Sequence, residues 1–116
     1  MYLITDPLKL TVELKGEAKG AQSTKAGLYI LGPNTVNGKS HWLQDSGIHA
    51  IWYDTPNGDW NIGTQDSIGN STAHIFLYTT EDVAGPQEAK VWKYGKDGKW
   101  IISEEDILVD TFEPST

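Results

Sequence analysis

The sequence of 116 residues predicts an all-β fold, either a single antiparallel β-sandwich or a small flattened barrel, with about eight to nine short strands. Short apolar segments rich in β-branched residues recur between clusters of Gly, Pro, Asn and Asp. No segment repeats apolar residues at the i, i+3, i+4 and i+7 spacing that an amphipathic helix shows. One tryptophan-containing pattern occurs twice, at residues 51–62 and 91–102, each time around an Asx-Gly turn signal.

Strand predictions follow from the hydrophobic pattern. Segment 8–14, "LKLTVEL", alternates apolar and polar residues strictly, which predicts a strand with one wet face. Segment 15–27 is small and polar and predicts a mobile connection, with no more than a weak helical turn around Glu17 to Lys19. Ser103 precedes Asp106 by three residues, which predicts one capped helical turn. Further strands are predicted at 28–31, 41–44, 48–53, 73–79 and 107–112.

Each tryptophan pattern predicts a hairpin with a three-residue loop, in which the Gly of the Asx-Gly pair takes a positive φ. In the first copy this loop is 56–58, and it puts Trp52 and Trp60 on one side of the ribbon. In the second copy it puts Trp92 and Trp100 on one side, with Tyr94 opposite Trp100. A two-residue loop would instead place each pair on opposite sides. The three-residue loop is preferred because both copies then form a coherent aromatic face.

Length and composition limit the classes of function. The whole chain, 1–116, is expected to form one domain, with frayed ends at 1–7 and 113–116. It contains no Cys, which excludes disulfides and thiolate metal sites. The formal charge is −7 and all nine cations are Lys, so nucleic acids and anionic membrane surfaces are not expected partners. No apolar run approaches the ~20 residues that span a bilayer.

The tryptophans suggest a ligand site. Any tryptophan of a small β domain can supply its core, and Trp52 and Trp92, each preceded by a β-branched residue, are expected there. Trp60 and Trp42 are the candidates for exposure as a stacking platform. Aromatic rings flanked by amides and carboxylates are typical of sugar-binding clefts, where the ring covers a pyranose face and the polar groups bind hydroxyls. The predicted ligand-binding residues are Trp60, Asn61, Asp59, Trp42 and Gln44.

Catalytic and metal sites are not predicted. No nucleophile motif, phosphate loop or EF-hand loop is present, so no cofactor, no metal and no enzymatic activity are expected. Two alternatives stay open for metals. One is a pair of histidines, His41 and His49, a diagonal step apart in a hairpin that turns at 45–47. The other is an irregular calcium site formed by the acidic side chains of Asp54, Asp59 and Asp66.

Three functions are therefore considered. The preferred one is a non-enzymatic binding module for carbohydrate. The alternatives are a protein-interaction or structural adhesion domain of a larger extracellular protein, and a small hydrolase with converging carboxylates or histidines. The sequence starts without the basic and apolar segments of a signal peptide, whereas the sequon 70–72 favours an extracellular location.

Overall fold

The computed structural model describes residues 6–70 and 74–112, which form nine strands and one α-helix. The strands are β1 (Lys9–Leu14), β2 (Gly27–Leu31), β3 (Trp42–Gln44), β4 (His49–Asp54), β5 (Asp59–Thr64), β6 (Ile75–Thr79), β7 (Trp92–Lys96), β8 (Lys99–Ser103) and β9 (Ile107–Thr111). Helix α1 (Gly16–Gln22) follows β1, and three short 3-10 turns lie at 23–25, 65–67 and 86–88. The predicted start of the β6 segment at residue 73 lies outside the described residues. Within the described residues, no helix is long and apolar enough to cross a bilayer.

All nine strands belong to one antiparallel sheet that curls into a nearly closed barrel. Strands β1 to β8 follow one another in an up-and-down meander, and β9 returns to pair with β1. The two edges of the sheet are therefore β8 and β9, which are consecutive in the chain and joined by residues 104–106. The all-β prediction is confirmed.

The inner face of the barrel carries the core. Strand alternation sends every second side chain inward, and most of the side chains buried there are large and apolar. The residues that are at most 3% exposed in this cluster include Leu10, Val12, Tyr29, Trp42, Ile51, Trp60, Ile62, Leu77, Trp92 and Tyr94. Three indoles of this cluster, those of Trp42, Trp60 and Trp92, are among the largest fully buried side chains, and this explains how so few Phe and Met residues can fill the barrel.

The segment after β1 was predicted to be a mobile connection, but residues 16–22 form a two-turn helix. Ala18 and Gln22 are one helical turn apart and are both buried. The Gln22 side-chain amide donates a hydrogen bond to the Gly95 carbonyl at 2.6 Å. The helix is held by packing on β7 rather than by an apolar stripe, so the sequence pattern does not show it.

Both hairpin loops differ from the predicted three residues. In the first hairpin Asp54 pairs with Asp59, so the loop has four residues, 55–58. In the second, Lys96 pairs with Lys99, and Asp97 and Gly98 form a two-residue loop in which both have positive φ. This is the left-handed geometry of a type I′ turn, whose twist matches that of the strands.

The changed loops reverse the facing of one indole in each pair. Trp52 pairs with Asn61 rather than Ile62, so Trp52 and Trp60 project from opposite sides of the sheet. In the second hairpin, Tyr94 pairs with Ile101, and Trp100 pairs with Gly95 on the side away from Trp92. The prediction that both indoles of each hairpin share a face was wrong, because loops of four and two residues, unlike the predicted three, place the indole of the second strand on the opposite face.

The helical turn predicted at 103–106 does not form. Ser103 accepts a hydrogen bond from the Asp106 amide at 2.9 Å, as a cap would, but the segment forms bends and no helix.

The first described residues, which were predicted to fray, are hydrogen-bonded to the segment before β3 and to β3. Asp6 accepts a hydrogen bond from the Ser40 hydroxyl, and the Pro7 carbonyl accepts one from the Trp42 indole. The other positions predicted to fray, 1–5 and 113–116, lie outside the described residues.

Gly63 is expected to tolerate no side chain. It lies where the β5–β6 register shifts, and a Cβ at this position would overlap the His74 carbonyl and lie 2.8 Å from the Trp52 ring. We expect Gly63→Ala to lower the free energy of unfolding by about 1–3 kcal/mol, because backbone must move to admit the methyl group. Urea unfolding followed by tryptophan fluorescence measures this loss. Gly20→Ala, where a Cβ meets nothing within 4 Å, is the matched control and should not destabilise the protein.

Candidate functional site

The exposed indole of the described residues is Trp100. Its side chain is 47% exposed, whereas Trp42 and Trp60 are each 1% exposed. The choice of Trp42 and Trp60 as the candidates for exposure was therefore wrong, because the register sends both rings into the barrel, where their centroids are 6.0 Å apart. The prediction that Trp52 and Trp92 are buried is confirmed, since both are 0% exposed.

Trp52 is buried although it points away from the barrel interior. Its indole donates a hydrogen bond to the Asn70 carbonyl at 3.0 Å, so the loop after β5 covers it. Asn70 is the residue that would carry the glycan in the predicted N-glycosylation sequon, and it is exposed. Ser71 and Thr72 of that sequon lie outside the described residues.

Trp100 forms one wall of a groove on the outer surface of the barrel. The groove has a volume of about 550 Å³, and we call it the polar groove; it is lined by Asn57, Asp59, Asn61, Ile75, Tyr78, Thr80 and Trp100. The Trp100 and Tyr78 rings meet edge to face, with centroids 4.7 Å apart and an interplanar angle of 90°. This geometry is favoured for aromatic pairs and fixes the orientation of the exposed indole.

Gly95 lies on the strand between Trp100 and Tyr78. The two aromatic residues lie on β8 and β6, with β7 between them. Gly95 is the cross-strand partner of Trp100, and a Cβ there would lie 3.7 Å from the indole. The indole lies over this position and extends across β7 to Tyr78, and a methyl group at residue 95 would fit in ordinary van der Waals contact with it. The aromatic wall therefore consists of residues 78 and 100.

Three buried polar atoms without a hydrogen-bond partner lie at this end of the sheet. They are Asp59 Oδ1 and Asn61 Nδ2, which belong to lining residues of the polar groove, and Asp54 Oδ1 on the neighbouring strand. Asn61 is 1% exposed and Asp59 is 8% exposed. Buried polar atoms in proteins normally have a hydrogen-bond partner, so a buried atom without one needs an explanation. Because Asp59 and Asn61 line the polar groove, a ligand bound there could supply the missing partners of their two atoms.

Asp54 and Asp59 place two carboxyl groups on directly opposed positions of β4 and β5. Asp54 is fully buried and accepts a hydrogen bond from the Asn57 amide at 2.8 Å. Burial raises the pKa of Asp59 above its ordinary value of 3.8, the nearby Asp54 raises it further, and Lys93 partly opposes both. The folded protein therefore binds the Asp59 proton more tightly than the unfolded chain does.

Asp59→Asn is expected to stabilise the protein near neutral pH. Because the folded-state pKa is raised, the favourable contribution of this carboxyl is complete below pH 3.8 and is lost as pH rises through the folded pKa. Removing the charge should raise the free energy of unfolding at pH 7 by about 0.2–1 kcal/mol, the order of magnitude of a cross-strand charge interaction. Chemical unfolding at pH 7 and at pH 3 measures this gain in stability. A gain of equal size at both pH values, or the same gain in the exposed control Asp82→Asn, would contradict this explanation.

The structure divides the five predicted ligand-binding residues among different locations. Asp59 and Asn61 line the polar groove, whereas Trp60 and Trp42 lie inside the barrel. Gln44 is the last residue of β3, and its side-chain amide donates hydrogen bonds to the Thr24 and Ala26 carbonyls, just after α1, at 2.9 and 3.0 Å. The residues that the prediction missed are Trp100 and Tyr78. The sequence signal that could have found Trp100 is the Asp-Gly pair of the second hairpin, because a two-residue loop at this pair predicts that Trp100 faces away from Trp92.

The two histidines considered for a metal site do not converge. The register pairs Trp42 with Ile51, which puts His49 on the face of Trp42 and its neighbour His41 on the other face. His49 instead contacts the Gln44 side chain at 2.9 Å, and burial lowers its pKa, with Lys25 adding to the effect. The described residues contain no group of three His, Cys, Asp or Glu side chains arranged to hold a metal ion.

Comparisons with protein-family models, with curated proteins and with solved structures gave no match. The function is therefore inferred from the polar groove itself.

Proposed function

We propose that this protein is a non-enzymatic binding module for uncharged carbohydrate, with Trp100 as the stacking platform of the polar groove. The observation that carries the proposal is the position of an exposed, fixed indole beside unpartnered polar atoms of Asp59 and Asn61. An apolar surface with a few convergent polar groups is the usual composition of a small-molecule site.

The unpartnered atoms favour a hydroxyl-bearing ligand. Asp59 Oδ1 accepts a hydrogen bond and Asn61 Nδ2 donates one. A hydroxyl group does both, so one hydroxyl or two adjacent hydroxyls of a sugar can pair with each atom. The apolar face of a pyranose then covers the exposed part of the indole. A purely apolar ligand would leave both polar atoms unpaired in a drier site, at a cost in binding free energy.

A protein-interaction module is the second candidate, because β8 is an edge strand with exposed apolar side chains. Trp100 and Ile102 lie on the same face of β8 and are 47% and 62% exposed. An exposed strand edge is a template for pairing with another chain. This alternative does not account for the unpartnered atoms of Asp59 and Asn61, and for that reason we prefer carbohydrate.

A hydrolase is less well supported than a binding module. Cleavage of a glycosidic bond needs two carboxyl groups that flank the bond. Asp59 lines the polar groove, but its neighbour Asp54 is fully buried, bonds to Asn57 and is not a lining residue. We therefore expect a bound oligosaccharide to be recovered intact after long incubation. Shorter products would support the hydrolase instead.

An array of neutral gluco-, manno- and xylo-oligosaccharides, from the monosaccharide to the hexasaccharide, tests the proposal. We expect at least one series to bind, and binding to change little with ionic strength because the ligand is uncharged. Anionic oligosaccharides of the same length are the control, and they should bind less because the protein carries a formal charge of −7. No binding to any neutral series, together with salt-dependent capture of protein partners, would favour the interaction module.

A further inference from the structure

A second groove lies on the other side of Trp100. It has a volume of about 880 Å³ and runs between helix α1 and the β7–β8 hairpin, so we call it the helix groove. Trp100 and Ile75 line both grooves, so these two residues form the boundary between them. The exposed indole therefore stands in the middle of a longer depression rather than at its end.

The walls of the helix groove are held in place before any ligand binds. The Tyr94 hydroxyl donates a hydrogen bond to Glu17 at 2.7 Å, and Lys96 forms an ion pair with the same carboxylate at 3.1 Å. The hydrogen bond from Tyr94 is the main reason that the pKa of Glu17 is lowered, and Lys96 is the second. Burial is the main reason that the pKa of Tyr94 is raised to about 12, and the bond to Glu17 is the second. A groove whose sides are already ordered loses less entropy when it binds a ligand.

The charges along the helix groove balance. Its lining includes two carboxylates, Glu17 and Asp97, and two ammonium groups, Lys96 and Lys99. These groups can bind hydroxyls as donors and acceptors, while Phe76 and Trp100 supply apolar surface. Nothing in this lining selects an anion, and the protein as a whole is acidic. The groove therefore fits the same uncharged chemistry as the polar groove.

We infer that the two grooves are adjacent subsites for one linear, uncharged oligosaccharide that crosses Trp100. This inference rests on the proposed function and adds the form of the ligand to it. From β5 to β8 the sheet covers three inter-strand spacings, a span of roughly 14 Å. A disaccharide fills the polar groove and contacts Trp100, and a longer chain continues past the indole along α1.

Gly20 offers a way to block the helix groove alone. It lines this groove, lies in α1, and a Cβ there meets no atom within 4 Å. Gly20 lies three residues after Glu17, which lines the same groove, so we expect the ring of Gly20→Phe to occupy the helix groove; Gly20 does not line the polar groove. Gly20→Ala is the matched control, since it makes the same backbone change with a methyl group that leaves the groove open.

Isothermal titration of the disaccharide and the hexasaccharide from the binding series tests the inference. For the unmodified protein we expect the hexasaccharide to bind about tenfold more tightly, as one or two further net hydrogen bonds would produce. Gly20→Phe should remove this gain and leave disaccharide affinity unchanged, and Gly20→Ala should change neither affinity. A gain that survives Gly20→Phe reflects only the larger number of binding registers on a longer chain, and it overturns the inference.

The remaining outcomes separate this inference from the proposed function. Equal affinity for the two sugars in the unmodified protein overturns the subsite inference and leaves carbohydrate binding in place. Failure of every neutral series to bind overturns both. Circular dichroism of the two Gly20 variants checks that α1 and the sheet are retained.

Discussion

Replacing Trp60 with alanine is expected to lower the free energy of unfolding by about 3–5 kcal/mol, the usual cost of deleting a buried indole. Trp60 is 1% exposed and lies at the centre of an aromatic cluster. Its ring centroid is 6.0 Å from that of Trp42 and 5.3 Å from that of Tyr53. Its indole also donates a hydrogen bond to the Val83 carbonyl at 3.3 Å. Urea unfolding monitored by far-UV circular dichroism measures the loss.

Trp100→Ala is the matched control for stability, because it removes the same side chain from the outer surface. We expect it to cost about 1 kcal/mol, mainly from the edge-to-face contact with Tyr78. Similar losses for the two variants would contradict the assignment of Trp60 to the core and of Trp100 to the surface.

The same Trp100→Ala variant is expected to weaken carbohydrate binding at least about 30-fold, which corresponds to the 2 kcal/mol or more of an interfacial hot spot. The expectation follows from the exposure of this indole and from its position on both grooves. Titration of the array-selected oligosaccharide into the folded variant measures the effect.

Ile102→Ala controls for a general loss of apolar surface on β8. Ile102 is 62% exposed, projects from the same face of β8 as Trp100, and lines neither groove. We expect it to bind the oligosaccharide normally. If Ile102→Ala weakened binding as much as Trp100→Ala, the strand edge rather than the grooves would be the binding surface.

Much of the fold could be predicted from local patterns. The strict alternation of residues 8–14 indicates one wet and one buried face, and β1 has that form. The two Asx-Gly signals mark real hairpins. Helix α1 could not be predicted in the same way, because the burial of Ala18 and the Gln22 hydrogen bond depend on β7, more than 70 residues away.

The candidate site depended on loop length, which the sequence pattern leaves ambiguous. Asx-Gly is compatible with loops of two, three or four residues, and changing the length by one residue turns every following side chain to the other face. Asp59 and Asn61 lie in the polar groove, but the indole beside them comes from residue 100, three strands away in the sheet. Only the tertiary arrangement of the sheet brings these residues together.

The indole N–H resonances provide the most direct test that Trp100 and the polar groove bind carbohydrate. The chain has five tryptophans, and Trp100→Phe assigns the signal of residue 100 in a ¹⁵N–¹H correlation spectrum. On titration with the array-selected neutral oligosaccharide, we expect this signal to shift most, while those of Trp42, Trp60 and Trp92 stay close to their starting positions. Saturating sugar that leaves the Trp100 signal unmoved while another indole shifts would contradict the proposed site.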